Sequence, residues 1–264
     1  MAKVTVRSID EAPLGEPPAG VRLTAGESHP VFASSPILLH CYRVAEGGSL
    51  AIDDAGAGQA VFIRSGEVEV AGQLVGAGGS IVIEHGAGIT VSARSPADLL
   101  SFANGVGNAK PTRAGGHVHI LPPGAVPRSL DFHGDRRAGG ALFADAACPT
   151  CEMWLHETIL HPGGHDTPVH SHSEDEVIVV LDGEIVLGRR GYGPGTAIAI
   201  ARETLYGFRS GEQGLVFINF RPHSPVYVPG DRTRETVDER AFFLARMPAP
   251  QPVTIASGAR AEGQ

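Results

Sequence analysis

The stretch HPGGHDTPVHSHSEDEVIVVLDGE, residues 161–184, combines four histidines and six acidic residues with a run of five apolar residues. His170 and His172 are two residues apart, so on a β-strand both imidazoles leave the same face of the sheet. A short polar turn then returns the chain at Glu176, which opens the apolar strand VIVVL. Two imidazoles and a carboxylate on neighbouring strands suit Fe(II), Mn, Ni or Zn and leave coordination positions open. The alternative is a charged turn between two strands, which would not need this spacing.

The composition of the chain is typical of an all-β protein. Its 264 residues include 35 glycines and 20 prolines, which supply turn dihedrals and interrupt helices. Short apolar runs such as ILLHCYRV, EVIVVLDG and GLVFINF read as strands, and a helical pattern is confined to 237–246. We therefore expect an all-β fold with one short helix.

The two halves of the chain repeat one another. Gly66-Glu67-Val68 matches Gly183-Glu184-Ile185, and Gly76-Ala77-Gly78 matches Gly193-Pro194-Gly195, both at an offset of 117 residues. A repeat of this length indicates a duplicated domain rather than a short solenoid unit.

This duplication predicts the organisation of the domains. We expect an N-terminal domain at about 20–108, a C-terminal domain at about 128–230, and a helix and tail at 231–264. A linker rich in Gly and Pro lies near 107–127. The tail from 247 is expected to be mobile or to dock as a single strand.

A resemblance to a known family rests on the first stretch. The pattern Gly164-(five)-His170-Ser171-His172-(three)-Glu176-(six)-Gly183 resembles the first motif of the cupin superfamily at every fixed position. With the duplication, the chain resembles a bicupin over roughly residues 30–225. The resemblance implies two tandem double-stranded β-helix (jelly-roll) barrels. It also implies that His170, His172 and Glu176 bind one divalent transition metal, with iron as the first choice and zinc, manganese or nickel as alternatives.

The second cupin motif usually ends in a histidine that completes the metal shell, and in GPGTAIAIARETLYGFRS that place falls on Tyr206. Tyr206 could ligate the metal as a phenolate, because a metal lowers its ordinary pKa of about 10. It could instead act beside the metal as a catalytic acid or base, or hydrogen-bond a substrate. A core aromatic residue with a paired hydroxyl is the third interpretation.

The first half of the chain has no equivalent set of ligands. The positions that match His170, His172, Glu176 and Tyr206 fall near Asp53 or Asp54, Ala55 or Gly56, Gln59, and Ile89. We therefore expect the N-terminal barrel to be a structural partner or a metal-free binding barrel.

Two further residues are candidates for binding substrate. Trp154, the only tryptophan, could form a wall of the pocket, although a core position is at least as plausible. Arg221 follows the last strand-like run and could hold a carboxylate in a bidentate pair, or form a surface salt bridge. His156 neighbours Trp154, but His40 occupies the matching place in the other half, which favours a shared structural role.

Cys148 and Cys151 form a CxxC pair. Such a pair can bind zinc or cycle a disulfide, but zinc needs two further ligands and only Cys41 remains among the cysteines. Reduced thiols are therefore the preferred interpretation. His117-Val118-His119 repeats the HxH spacing without a following glutamate and is interpreted as a decoy.

The function that these features predict is that of a metal-dependent enzyme acting on a small organic molecule. A non-haem Fe(II) dioxygenase is the first form, because oxygenases are common among cupins with two histidines and a glutamate. An isomerase or lyase that uses Zn, Mn or Ni with Tyr206 as acid or base is the alternative, since some cupin lyases and cyclases have a tyrosine at the metal. A non-catalytic small-ligand-binding bicupin is a third possibility.

The remaining expectations concern location and partners. The net charge of −8 offers no basic surface for nucleic acid or an anionic membrane. No run of apolar residues approaches the length of a membrane span, and three cysteines agree with a reducing compartment, so we expect a cytoplasmic protein. Exposed sheet edges favour a homodimer.

Overall fold

The computed structural model describes residues 3–34, 36–53, 56–105, 113–231, 233 and 235–256. The chain divides into two compact units. The N-terminal unit comprises Ala12–Val126, Ala147–Glu152 and Pro250–Gln264, and the C-terminal unit comprises Met1–Glu11, Pro127–Ala146 and Met153–Ala249. Each unit thus includes one chain end, which the expected domain limits of 20–108 and 128–230 leave out.

Strands account for nearly all of the regular structure, and two short helices accompany them. In chain order, the strands are β1 Val4–Ser8, β2 Val21–Phe32, β3 Ile37–Ile52, β4 Gln59–Ser65, β5 Glu67–Val70, β6 Gln73–Gly76, β7 Ser80–Ile83, β8 Ile89–Ala93, β9 Ala97–Asn104, β10 His117–Leu121, β11 Arg128–Ser129, β12 Ala138–Ala144, β13 Trp154–Leu160, β14 Asp166–His172, β15 Glu176–Leu187, β16 Arg190–Tyr192, β17 Thr196–Ile200, β18 Tyr206–Arg221, β19 Val226–Pro229, β20 Val237–Asp238 and β21 Val253–Ala256. A 3-10 turn spans Pro123–Ala125, and the α-helix α1 spans Glu239–Leu244. The all-β prediction is confirmed.

The N-terminal unit is built on one antiparallel sheet of ten strands, in the order β21-β10-β7-β4-β9-β3-β8-β5-β6, with β2 beside β3. Alternating apolar residues on these strands face inward, as period-2 patterns require. Its core of Val, Ile and Leu includes Leu50, Ile63, Val91 and Leu99, all of them buried. Strand β10 belongs to this sheet, so residues 117–121 are not linker.

The C-terminal unit has its own sheet of eleven strands, with β1-β17-β15-β18-β13-β12-β11 as the main order. Strand β14, which carries the HxH pair, lies against β18 and β19. Its core forms two clusters, one around Ile178, Ile198 and Phe217 and one around Trp154 and Phe243.

Both chain ends that the structure describes pair as strands. Strand β1 lies antiparallel to β17, with Val4 opposite Ile200, within the C-terminal unit. Strand β21 lies antiparallel to β10 within the N-terminal unit, so the tail docks as a single strand up to residue 256. Residues 257–264 lie outside the described part of the chain.

Two matched glycines explain the sequence repeat in backbone terms. Gly66 follows β4 with φ +78°, and Gly183 lies in β15 with φ +70°. A Cβ at either position would collide with a backbone oxygen, that of Pro96 or that of Gly214. Both halves therefore need glycine at the same bend, because only glycine accepts this φ without strain and leaves room for the neighbouring chain.

The helix expected at 237–246 is present as α1 over a shorter range. Asp238 caps it by accepting a hydrogen bond from the Ala241 amide at 3.0 Å. Within the described residues, no helix has the length and apolar character that crossing a membrane would require.

Candidate functional site

The three residues of the HxH…E motif are all buried in the C-terminal unit. His170 and His172 end strand β14, and Glu176 begins β15, with 3%, 5% and 2% of their surfaces exposed. Alternation along β14 turns both imidazoles to one side, and their ring centroids are 4.9 Å apart. The polar turn between β14 and β15 brings the carboxylate to the same side.

Hydrogen bonds determine which nitrogen of each ring is available as an acceptor. Nδ1 of His170 lies 2.7 Å from the carbonyl oxygen of Pro168, which can only accept, so this nitrogen carries the proton. Burial lowers the pKa of His170 to about 4, so the ring is neutral near pH 7. Its Nε2 therefore carries a lone pair.

Arg221 sets the same state for His172. Its Nη2 donates to Nε2 of His172 at 3.0 Å, and because arginine has no acceptor, that nitrogen must carry a lone pair. The proton of His172 is then on Nδ1, which lies 2.8 Å from Oε1 of Glu239. Both rings of the motif thus have the tautomer of a metal ligand.

The guanidinium of Arg221 also forms ion pairs with two buried carboxylates. Nη2 donates to Oε2 of Glu176 at 2.7 Å, and Nη1 donates to Oε2 of Glu239 at 2.6 Å. Only 2% of the surface of Arg221 is exposed. Two carboxylates and one guanidinium leave one excess negative charge in this cluster.

Glu176 is ionised in this setting. Burial alone would raise the pKa of its carboxyl, but the charge of Arg221 and the hydrogen bonds from the Tyr206 hydroxyl and from Asn219 Nδ2, the latter at 2.8 Å, outweigh burial and lower the pKa to about 2. Its other oxygen, Oε1, is buried and makes no hydrogen bond of strict geometry among the described residues, although the Tyr206 hydroxyl is a donor to this carboxylate. A buried, ionised carboxylate needs positive charge or hydrogen-bond donors around it, and Arg221 supplies that charge here.

Tyr206 lies beside the two histidines. It is the first residue of β18 and pairs with His170 across the sheet, with ring centroids 4.4 Å apart. Burial and the charge of Glu176 raise the pKa of its hydroxyl well above the ordinary value. In this arrangement the side chain is a neutral hydroxyl rather than a phenolate.

A cavity of about 360 Å³ lies beside His170, His172 and Tyr206 in the C-terminal unit. Its polar lining includes His156, His170, His172, Tyr206, Asn219, Arg221 and Glu239. Aromatic side chains dominate the remaining wall: Phe132, Phe208, Phe217, Tyr227, Phe242 and Phe243. The cavity is large enough for a small organic molecule with an apolar body.

Trp154 and His156 lie two residues apart on β13, with ring centroids 5.8 Å apart, but their surroundings differ. Trp154 is fully buried against Phe243, with ring centroids 5.5 Å apart, and does not line the cavity. His156 does line the cavity, and burial lowers its pKa to about 3, so it is a neutral polar group there. Trp154 is therefore a core aromatic residue, and it does not form a wall of the cavity.

Glu239 is the residue of the site that the sequence analysis missed. It is the first residue of α1, and it contacts both Arg221 and His172. An isolated glutamate at the start of a short helix carries no signal of such a role, since its partners are 18 and 67 positions away along the chain.

In the corresponding region of the N-terminal unit, Gln59 stands at the position that matches Glu176. A smaller cavity of about 150 Å³ is lined there by His40, Tyr42, Gln59 and Ser101, among others. Gln59, the match of Glu176, accepts a hydrogen bond from the Ser101 hydroxyl at 2.9 Å. Asp54 and Ala55 lie outside the described residues.

The donor chemistry of His170, His172 and Glu176 fits a divalent ion, but their spacing in this arrangement does not gather them around one point. Among the described residues, the ligand atoms of one group alone lie within 4.8 Å of one another: Glu84, His119, Cys148 and Cys151, in the N-terminal unit. Strand β10 places His119 beside the CxxC pair, a neighbourhood that its interpretation as a decoy did not anticipate.

The fold, but not the sequence, has counterparts among known proteins. No protein-family model matches the chain, and no curated protein matches it in sequence. A protein from Nostoc punctiforme described as a candidate dioxygenase aligns with a TM-score of 0.63 at 10% identity, over 84% of this chain and 83% of that one. Protein YlbA from Escherichia coli aligns with a TM-score of 0.61 at 12% identity, over 83% and 90%.

A third similar structure is oxalate decarboxylase from Bacillus subtilis, described with Mn(II) centres. It aligns with a TM-score of 0.58 at 11% identity, over 88% of this chain and 78% of that one. Identities this low establish architecture alone. The comparisons and the two antiparallel sheets together show that the chain has the bicupin fold.

Proposed function

We propose that the C-terminal unit is the active site of a metal-dependent enzyme that acts on a small organic molecule. His170, His172 and Glu176 would hold one divalent transition metal, and the aromatic cavity in front of them would hold the substrate. The first form of the proposal is an iron enzyme of the dioxygenase class. A bound Fe(II) supplies open coordination positions for substrate and O₂.

One observation carries the proposal. Two imidazoles with Nε2 lone pairs face the aromatic cavity, and Arg221 and Asn219 of the same lining bind the buried, ionised carboxylate of Glu176. The buried cluster has one excess negative charge, which a divalent cation offsets. A solvated charged turn would have neither the burial nor the paired tautomers.

Arg221 has a specific part in this proposal. Its guanidinium contacts His172 and Glu176, so a metal at these donors and the guanidinium compete for the same lone pairs. Metal loading therefore requires Arg221 to release Nε2 of His172. The side chain would keep its ion pair with Glu239 and turn its free N–H groups to the cavity, where they can bind an anionic oxygen of the substrate.

An isomerase or lyase is the second form of the enzyme proposal. The ring of Tyr206 lies against His170 at the cavity wall, and its neutral hydroxyl, which contacts Glu176, would give a proton to a substrate oxygen. Zinc, manganese or nickel would serve this chemistry. The metal content separates the two forms.

A non-catalytic binding protein is the second candidate function. It is favoured by the contacts of Arg221, which already supplies a cation to Glu176 and His172 without a metal. Under this alternative, the cavity binds a small ligand and the histidines only hydrogen-bond it.

Elemental analysis of the untagged full chain, with an absorption spectrum, separates these possibilities. We expect one metal that the double variant His170→Ala/His172→Ala loses, while His161→Ala, a histidine of the same stretch outside the cavity, retains it. Iron that the double variant loses would support the dioxygenase form, and zinc, manganese or nickel that it loses would support the isomerase or lyase form. A metal content unchanged by the double variant would contradict the enzyme proposal.

A further inference from the structure

We infer that the N-terminal unit contains a structural zinc site made by Cys148, Cys151, His119 and Glu84. This site is separate from the cavity of the C-terminal unit and does not depend on the proposed function. All four residues belong to the N-terminal unit. None of them lines the large cavity.

The distances match those of a tetrahedral zinc site before the ion is bound. Sγ of Cys148 lies 3.7 Å from Nε2 of His119 and 3.9 Å from Oε1 of Glu84. Bonds of about 2.3 Å to sulfur and about 2.0 Å to nitrogen separate two tetrahedral ligands by about 3.5 Å. The four ligand atoms all lie within 4.8 Å of one another. Small side-chain shifts are thus enough to place them around one ion.

The fold brings the ligands together from three stretches of the chain. Glu84 directly follows strand β7, and His119 lies in the neighbouring strand β10, opposite Val82 of β7. The CxxC turn at 148–151 lies against this pair of strands, with Thr150 donating to Oε1 of Glu84. Two cysteines separated by two residues are the usual way in which one turn supplies two thiolates to zinc.

Neighbouring groups orient two of the ligands. Nδ1 of His119 lies 2.8 Å from Oγ1 of Thr254 on β21, so its Nε2 faces the cysteines. Oε2 of Glu84 accepts the backbone N–H of His117 at 2.9 Å and lies 3.1 Å from Nδ1 of the same residue. Its Oε1 therefore points toward the cluster. Such outer contacts are typical of metal ligands, because they hold the rings and carboxylates in one orientation.

Burial favours a cation over a solvated polar cluster. Glu84 is 1% exposed and Cys151 is 7% exposed. Oε1 of Glu84 lies 2.6 Å from Nε2 of His119, a contact that needs a proton between them when no metal is present. Zinc would replace that proton, because the ligating nitrogen and oxygen must both be free of it.

Four protein ligands leave no position for substrate, which indicates a structural rather than a catalytic ion. The ion would fasten the turn at 148–151 to strands β7 and β10. It would thereby connect Glu84 and Cys148, which are 64 positions apart in the sequence. This zinc would therefore stabilise the N-terminal unit.

Metal analysis of full-length variants tests the site. The background is His170→Ala/His172→Ala, which removes the imidazoles proposed to bind metal in the C-terminal unit. In this background we expect about one zinc per chain. Cys148→Ser and His119→Gln should each reduce zinc retained after dialysis at least tenfold, whereas Cys41→Ala, which removes the third thiol, should retain it. Equal zinc in all of these proteins would overturn the inference.

Cobalt substitution of the unmutated chain provides a test that does not depend on variants folding. Adding Co(II) to chelator-treated, reduced protein should produce intense visible bands of tetrahedral Co(II) and a near-ultraviolet sulfur-to-cobalt charge-transfer band, which one equivalent of Zn(II) removes. Absence of the charge-transfer band would overturn the inference. So would a Cys148–Cys151 disulfide in protein purified without reductant and shown to hold no zinc.

Discussion

Nη2 of Arg221 lies 3.0 Å from Nε2 of His172, so a guanidinium occupies the lone pair that the proposed metal would need. The same nitrogen contacts Glu176 at 2.7 Å. The motif and the arginine come from strands β14, β15 and β18, which the sheet places side by side. Metal binding at these donors, as proposed, would therefore require the guanidinium to move away from His172.

Replacing Arg221 should make the C-terminal unit dependent on metal. Arg221→Met leaves Glu176 and Glu239 buried without their counter-ion, which should cost about 3–5 kcal/mol of unfolding free energy in metal-free protein. Excess divalent metal should restore much of that loss, because it neutralises the same carboxylates. Thermal unfolding with and without metal measures both effects.

The control for this prediction is Arg240→Met. Arg240 pairs with Asp145 at 2.8 Å in the same unit but is partly exposed and lies outside the cavity. Arg240→Met should lower the unfolding free energy by about 1 kcal/mol or less, and added metal should not change this loss. Equal responses of the two variants to metal would show that the donors around Arg221 do not bind it.

Glu239→Gln should weaken metal binding without removing a ligand. Glu239 lies 2.8 Å from Nδ1 of His172 and so orients the ring and increases its basicity. Losing the charge should lower metal affinity about 10–100-fold. Competition with a chelator of known affinity gives the constants.

Glu157→Gln serves as the matched substitution for Glu239→Gln. Glu157 pairs with Arg128 at 2.6 Å in the same unit, away from the cavity wall. The variant Glu157→Gln should bind metal with the same affinity as the unmutated chain. If Glu239→Gln also left the affinity unchanged, Glu239 would not be a positioning residue for His172.

The variant Tyr206→Phe should show whether Tyr206 ligates the metal or acts as a proton donor beside it. Because the hydroxyl lies in a buried setting beside ionised Glu176, we expect it to remain protonated and not to ligate. The variant should bind metal within about tenfold of the unmutated chain, while turnover of a substrate by the isomerase or lyase form should fall about 10²–10⁴-fold. Loss of a visible absorption band of the iron-loaded protein on this substitution would identify Tyr206 as a ligand instead.

Gly183→Ala should destabilise the C-terminal unit strongly. Position 183 has φ +70°, and an added Cβ would collide with the Gly214 carbonyl oxygen. We expect a loss above about 2 kcal/mol, of which about 1–2 kcal/mol is backbone strain. Gly188→Ala provides the comparison, because φ is +62° there but the space is open. Denaturant unfolding should show the larger loss for Gly183→Ala, and equal losses would contradict the collision.

Local patterns predicted much of the architecture. The two-residue spacing of His170 and His172 specified that both rings share a face, because alternation along a strand is a property of the backbone alone. The matched glycines at 66 and 183 identified the duplication for a similar reason: a positive φ restricts the residue type at that position whatever surrounds it.

Contacts between distant parts of the chain were decided only by the folded structure. Sheet order and register placed Arg221 and Glu239 on His172, and they gathered Glu84, His119 and the CxxC pair into one cluster. Neither arrangement has a spacing that a sequence can display, because the partners are separated by tens of residues. Short-range periodicity thus predicted the fold and the faces of its strands, whereas the composition of each buried polar cluster depends on side chains that meet only when the sheets have formed.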